Sequence, residues 1–184
     1  MKYLVSLLWI ISLSVGISYA QGGSITGQVH YKNIENTLMK DSTIVYLLNQ
    51  SNTILATDTV DINGFYLFEN LDPGNYIVKA NSYKKPGGIN AADAQAMILH
   101  YIGIEPYLTG LNLTVADVNN SGGNPGAVDA LAVQRFFTHH ITTFAPAPFW
   151  KSTIHNVSVT DNTQIIQNIQ ILCNGDVDGN FIPY

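Results

Sequence analysis

The residues best suited to chemistry are oxygen-bearing side chains that alternate along a short, glycine-rich loop. In the segment 117–122 (DVNNSG), Asp117, Asn119 and Ser121 provide oxygens at the first, third and fifth positions, and a glycine follows. Hard cations such as calcium take about six to eight oxygen ligands, which a loop of this pattern supplies from alternate positions. Asp129 can close the site, one position later than the usual closing residue. The alternative interpretation is a cluster of side-chain-stabilised turns that binds no metal.

Two other fragments each contain part of such a loop. Asn90 and Asp93 match its second half, but the residues before them include two lysines and a proline, which cannot bind calcium. The segment 175–180 has the opposite pattern, because it supplies early ligands and no helix follows them: Asp176, Asp178 and Asn180. We hypothesise that the two fragments complement each other in space and together bind a second calcium ion.

The first half of the chain has the periodicity of a β-sheet. Between residues 24 and 81, apolar and polar residues alternate in short runs that are separated by turn signals such as Asn63-Gly64 and Pro73-Gly74. This pattern predicts a small antiparallel β-sandwich over residues 21–81.

After residue 81 the period becomes helical. A first helix is predicted to begin at the N-cap Asn90, to bury Met97, Tyr101 and Ile102 on one face, and to end at Gly103. A second is predicted over about residues 127–140, with Ala130, Val133, Phe136 and Phe137 facing inward. Residues 152–159 and 164–172 have strand-like composition. The sequence thus predicts a multidomain β + α chain, in which residues 82–184 form a second module.

Composition narrows the functional classes. Residues 1–20 have a basic start, an apolar stretch and a Ser-x-Ala end, which indicates a signal peptide and a secreted or cell-surface protein with no membrane segment after its removal. The net charge is −5 with 11% charged residues, and no basic patch suggests nucleic-acid binding. The single cysteine, Cys173, cannot form an internal disulfide. No arrangement of side chains is typical of an enzyme, so we expect none.

The sandwich segment resembles a known family. Residues 24–80 are similar to the Cna protein B-type and SdrD-like modules, which are related to carboxypeptidase regulatory-like domains. The resemblance is strongest in residues 63–76, where the sequence reads NGFYLFENLDPGNY. It implies a spacer, a stalk or an accessory domain of an exported protein.

The second half resembles a type I dockerin, in the divergent form found in exported proteins of Bacteroidetes. The motifs are GGINAADA at 87–94, ADVNNSG at 116–122 and GDVDG at 175–179. The resemblance implies calcium as the cofactor and a cohesin-like protein as the partner. By position, the implied calcium ligands are Asp117, Asn119, Ser121, Asp129, Asn90 and Asp93.

The function expected from these patterns is a non-catalytic, exported, calcium-binding interaction module of an extracellular polysaccharide-degrading or adhesive system. One alternative is a structural stalk with vestigial calcium loops. The other is a carbohydrate-binding module, for which Phe149 and Trp150 are the most plausible exposed aromatic pair, although packing against the helices suits them better.

Overall fold

The computed structural model describes residues 22–32, 37–104 and 106–183, which form a β-sandwich with three short helices. The expected signal peptide, 1–20, lies outside the described residues. The strands are β1 Gly23–Tyr31, β2 Thr43–Leu48, β3 Ile54–Thr59, β4 Phe65–Leu71, β5 Gly74–Ser82, β6 Trp150–Ser152, β7 His155–Val159, β8 Gln164–Ile166 and β9 Ile169–Cys173. The helices are α1 Ala91–Tyr101, α2 Gly110–Ala116 and α3 Ala127–Phe137. Within the described residues, no helix is both long and apolar enough to cross a lipid bilayer.

The predicted alternation in the first half of the chain is present as five strands. In β1, every second side chain is buried, including Ile25, Val29 and Tyr31. β1 pairs antiparallel with β4, while β2 pairs with β3 and β5 in the other sheet. Gly64 has a φ of +73° in the turn before β4, a conformation that glycine adopts without strain.

The C-terminal strands complete both sheets, which corrects the boundary predicted at residue 81. One sheet has the order β4-β1-β9-β6, with β8 also beside β1, and the other has the order β3-β2-β5-β7. β8 and β9 run parallel to β1, so the prediction of a purely antiparallel sandwich is wrong for these two strands. These pairings join residues such as Val29 and Ile169, which are 140 positions apart, and local periodicity carries no information about such distant partners.

The helices come between β5 and β6 in the sequence, and in space they share one hydrophobic core with the sheets. Met97 of α1 and Val133 of α3 are fully buried in this core, which also contains Ile171 of β9. The sequence did not predict α2, which packs against β6 and β9.

Three side chains that were predicted to be buried are exposed, and the aromatic pair considered as an exposed site is packed. Tyr101 is 62% exposed, and Ile102 and Phe137 are also exposed, because each lies at the last turn of its helix, beyond the packed face. Trp150 is only 4% exposed and packs edge-on against Tyr31, while Phe149 packs against Phe136 of α3. The two residues therefore do not form an exposed aromatic pair.

Candidate metal centre

Three carboxylates that are distant in sequence meet where α1 begins and β9 has just ended. Asp93 lies in the first turn of α1, whereas Asp176 and Asp178 follow β9. One carboxylate oxygen from each lies within 4.8 Å of the others. The structure thus brings together the two fragments that the sequence analysis expected to complement each other.

Asp93 holds the two fragments together through backbone hydrogen bonds. Its side chain is fully buried. One oxygen, Oδ1, accepts the backbone N–H groups of Val177 at 2.8 Å and Asp178 at 3.2 Å. The other oxygen accepts the backbone N–H of Asn90 at 2.8 Å, and the Asn90 side chain caps the helix by accepting from Ala92 at 2.7 Å. Asp93 therefore caps α1 and also fixes the tail segment beside it.

Asp176 has one oxygen that is bonded and one that is not. Its Oδ2 accepts a hydrogen bond from the Tyr31 hydroxyl and another from the backbone N–H of Phe181 at 3.3 Å. Its Oδ1 is buried and has no hydrogen-bond partner among the described residues, and the residue as a whole is 0% exposed. Burying a carboxylate oxygen without a partner is energetically costly, and this oxygen is free to accept a ligand.

The backbone of Gly88 lies directly against the Asp176 carboxylate. Its φ is +81°, and a Cβ atom added there would lie 2.3 Å from Asp176 Oδ2. No side chain fits at this position, so the backbone of the loop before α1 can approach the carboxylate closely.

The outer edge of the site is polar and more exposed. Asp178 is half-buried, and its two oxygens accept from the backbone N–H and the side-chain amide of Asn180, at 3.1 and 3.0 Å. The side-chain carbonyl of Asn180 adds a neutral oxygen of the kind that hard cations accept.

Burial and mutual repulsion make the fully ionised cluster unfavourable without a cation. Burial raises the pKa of Asp93 to about 7, with a further increase from the charges of Asp176 and Asp178. Burial likewise raises the pKa of Asp176 to about 6, against the opposing hydrogen bond from Tyr31. A divalent cation would compensate both effects, because it supplies positive charge where the carboxylates have lost water.

The four predicted ligands of the other loop also lie together. The carboxylate of Asp117 accepts the backbone N–H groups of Ser121 and Gly122, both at 2.9 Å. Asn119 accepts from Ser121 N–H at 2.9 Å and donates its own N–H to Asp129 Oδ1 at 3.2 Å. Asp129 and Asp117 are buried, whereas Ser121 is exposed.

The hydrogen bonds of the two loops correspond. The bond from Asn119 N–H to Asp129 has its counterpart in the 3.2 Å bond from Asp178 N–H to Asp93. The bond from Gly122 N–H to Asp117 likewise matches the bond from Phe181 N–H to Asp176. The two sites therefore have the same backbone architecture, built in one case from a continuous segment, 117–129, and in the other from two segments, 176–181 and 88–93. We call them the continuous loop and the split loop.

Two residues of the split loop were not singled out by sequence reasoning. Tyr31 looked like an ordinary core residue of a strand, since nothing local indicates that its hydroxyl reaches residue 176. Gly88 belonged to a recognised motif, but its contact with Asp176 depends on the tertiary fold.

Comparisons with known proteins give low similarity. No protein-family model and no curated protein matches the chain. Among solved structures, the Bacillus anthracis TIE protein has 11% identity and a TM-score of 0.41, and the match covers 83% of this chain and 17% of that one. BcpA, the major pilin subunit of Bacillus cereus, has 12% identity and a TM-score of 0.36, and the match covers 83% of this chain and 30% of that one. This chain thus spans less than a third of the length of either protein.

Proposed function

We propose that the protein is a non-catalytic, exported interaction module whose split loop binds one hard divalent cation, with calcium as the expected ion. The observation that carries the proposal is that Oδ1 of Asp176 is buried without a hydrogen-bond partner among the described residues. Its carboxylate belongs to a cluster in which one oxygen each of Asp93, Asp176 and Asp178 lies within 4.8 Å of the others. The donors are oxygens, which suit calcium better than zinc.

The cation would act as a structural link. Asp93 belongs to the start of α1, and Asp176 is connected through Tyr31 to β1 at the centre of one sheet. An ion bound between these groups would connect the helices, the tail segment and the sandwich. Its binding free energy would then contribute to folding stability, because the unfolded chain has no such site.

A cation-dependent melting experiment tests the proposal. The purified protein is unfolded thermally in EDTA and again with calcium at about 100 times its Kd, where one site adds about 2.7 kcal/mol. For a chain of this size, each kcal/mol raises Tm by about 2–4 °C, so the expected increase is about 5–11 °C. Potassium at equal ionic strength is the control for screening. An unchanged Tm would refute the cation site and leave the structural stalk as the better interpretation.

We extend the proposal to the partner, which we infer to be a cohesin-like protein of an extracellular polysaccharide-degrading or adhesive system. The support is the resemblance of the loop motifs to dockerins. Binding of a purified cohesin module in calcium, lost in EDTA, would support this assignment. Retention of the protein on insoluble polysaccharide without a protein partner would favour the carbohydrate-binding alternative.

A further inference from the structure

We infer that Lys151 is a tethered cation of the continuous loop, so that the protein binds one exchangeable divalent ion and not two. This inference rests on the proposed function, because it assigns the exchangeable ion to the split loop alone.

The Lys151 ammonium group is fixed against the loop by backbone carbonyls. From β6, its Nζ donates to the carbonyl oxygen of Asp117 at 2.8 Å and to that of Thr114 at 2.9 Å. These carbonyls belong to the end of α2, where backbone oxygens lack partners within the helix. The side chain is half-buried, so its charge is incompletely screened by water.

The same ammonium group is hydrogen-bonded to the backbone of Asp117, the first residue of the continuous loop. Burial lowers the pKa of Lys151, and the negative charges of Asp117 and Asp129 oppose this effect. Lys151 also lines a cleft of about 300 Å³ together with Asp117, Asn120 and Gly122 of the loop. A divalent ion entering this loop would therefore meet a positive charge that is already in place.

The hydrogen bonding of the two loops differs in the way this inference requires. In the continuous loop, each carboxylate oxygen of Asp117 and Asp129 accepts a backbone N–H. In the split loop, Oδ1 of Asp176 accepts no hydrogen bond from the part of the chain that the structure describes. The continuous loop also has two carboxylates, Asp117 and Asp129, whereas the split loop has three. The continuous loop is thus satisfied without a metal ion, and the split loop is not.

Removing the charge of Lys151 should create a second binding site. Lys151→Gln keeps a donor for the carbonyls but loses the charge, whereas Lys151→Arg keeps the charge. Repulsion between a lysine and a divalent ion in the same cleft corresponds to a roughly 10- to 100-fold loss of affinity at a separation of about 4–5 Å in water. Lys79→Gln is a matched control, because Lys79 lies with Lys151 in a neighbouring cleft.

The experiment is calorimetric titration of the full chain with calcium chloride after removal of EDTA, with circular dichroism to check that each variant is folded. We expect one ion for the wild type, Lys151→Arg and Lys79→Gln, and two for Lys151→Gln. Two ions of similar affinity in the wild type, or no additional ion in folded Lys151→Gln, would overturn the inference. No ion in the wild type but one in Lys151→Gln would refute the proposed split-loop site while supporting the role of Lys151.

Discussion

Replacing Asp176 with asparagine should change stability in opposite directions with and without calcium. In Asp176→Asn, the amide oxygen can accept the bonds from Tyr31 and Phe181, and the amide NH₂ takes the place of the unpartnered oxygen. The amide remains in the cluster with Asp93 and Asp178, in which one carboxylate oxygen of each residue lies within 4.8 Å of the others, so a small rotation would let it donate to one of them. Without a cation, the variant loses a buried charge and gains hydrogen bonds, which should stabilise it by about 1–2 kcal/mol.

In calcium, the same variant loses a charged ligand. At about 100 times the wild-type Kd, the wild type gains about 2.7 kcal/mol and the variant gains little. At about 2–4 °C per kcal/mol, Tm of the variant should lie about 2–8 °C above the wild type in EDTA, and below it in calcium.

Differential scanning calorimetry of both proteins, in EDTA and in calcium near pH 8, measures this crossing. Asp161→Asn is the matched control, because it makes the same change at an exposed turn between β7 and β8 and should leave both values unchanged. A variant that is less stable than the wild type in EDTA would contradict the reasoning. So would a variant that retains the full calcium-dependent increase.

Three other predictions concern pH, backbone geometry and packing. In EDTA, Tm should fall between about pH 5 and pH 8. The folded-state pKa values of Asp93 and Asp176 lie above the unfolded value of 3.8, so the stability that these carboxyl groups contribute is lost as the pH rises through about 6 and 7. Calcium should reduce this fall, and a Tm that rises with pH in EDTA would contradict the prediction. Gly88→Ala should abolish the calcium-dependent increase in Tm, because its Cβ would displace the Asp176 carboxylate. Gly122→Ala is the control: it has a similar φ of +77°, and no described atom lies within 4 Å of the added Cβ, so it should lower Tm but retain the increase. Equal effects of the two variants would argue against the contact between Gly88 and Asp176. Met97→Ala should destabilise the whole protein by about 2–5 kcal/mol in a single denaturant transition, because this fully buried residue belongs to the core shared with the sheets. A separate early transition of the helices would show that they fold alone. Tyr101→Ala, at an exposed position, is the control.

The local features of the fold could be predicted from the sequence. The strands of the first half have an alternating pattern that burial of one face requires, and α1 begins at the predicted cap Asn90. The membership of β6 to β9 in the two sheets was not predictable, because their partners lie far away in the chain and their own runs are short. Pairing over such distances is decided by the whole core and leaves no periodic pattern in either segment.

The candidate site, like the fold, could be predicted from the sequence only in part. The oxygen-rich fragments at 88–93 and 176–180 were recognisable, and the missing half of each suggested that they meet, as the structure shows for Asp93, Asp176 and Asp178. The roles of Tyr31 and Lys151 were not recognisable, because each comes from a strand whose local sequence indicates only a sheet. Side chains that reach a site from a different element have no fixed spacing from it.

The split loop also determines when the site can exist during folding. The hydrogen bond from Val177 to Asp93 spans 84 residues, whereas the continuous loop lies within 13. An unfolded chain closes the longer span at a larger entropic cost, and the split loop also includes the bond from Tyr31 of β1 to Asp176, which follows the β9 strand paired with β1. A partly folded chain can therefore form the continuous loop but not the split one. Cation binding at the split loop would then report that the last strand has entered its sheet, and would distinguish a completed molecule from one that has stopped short of it.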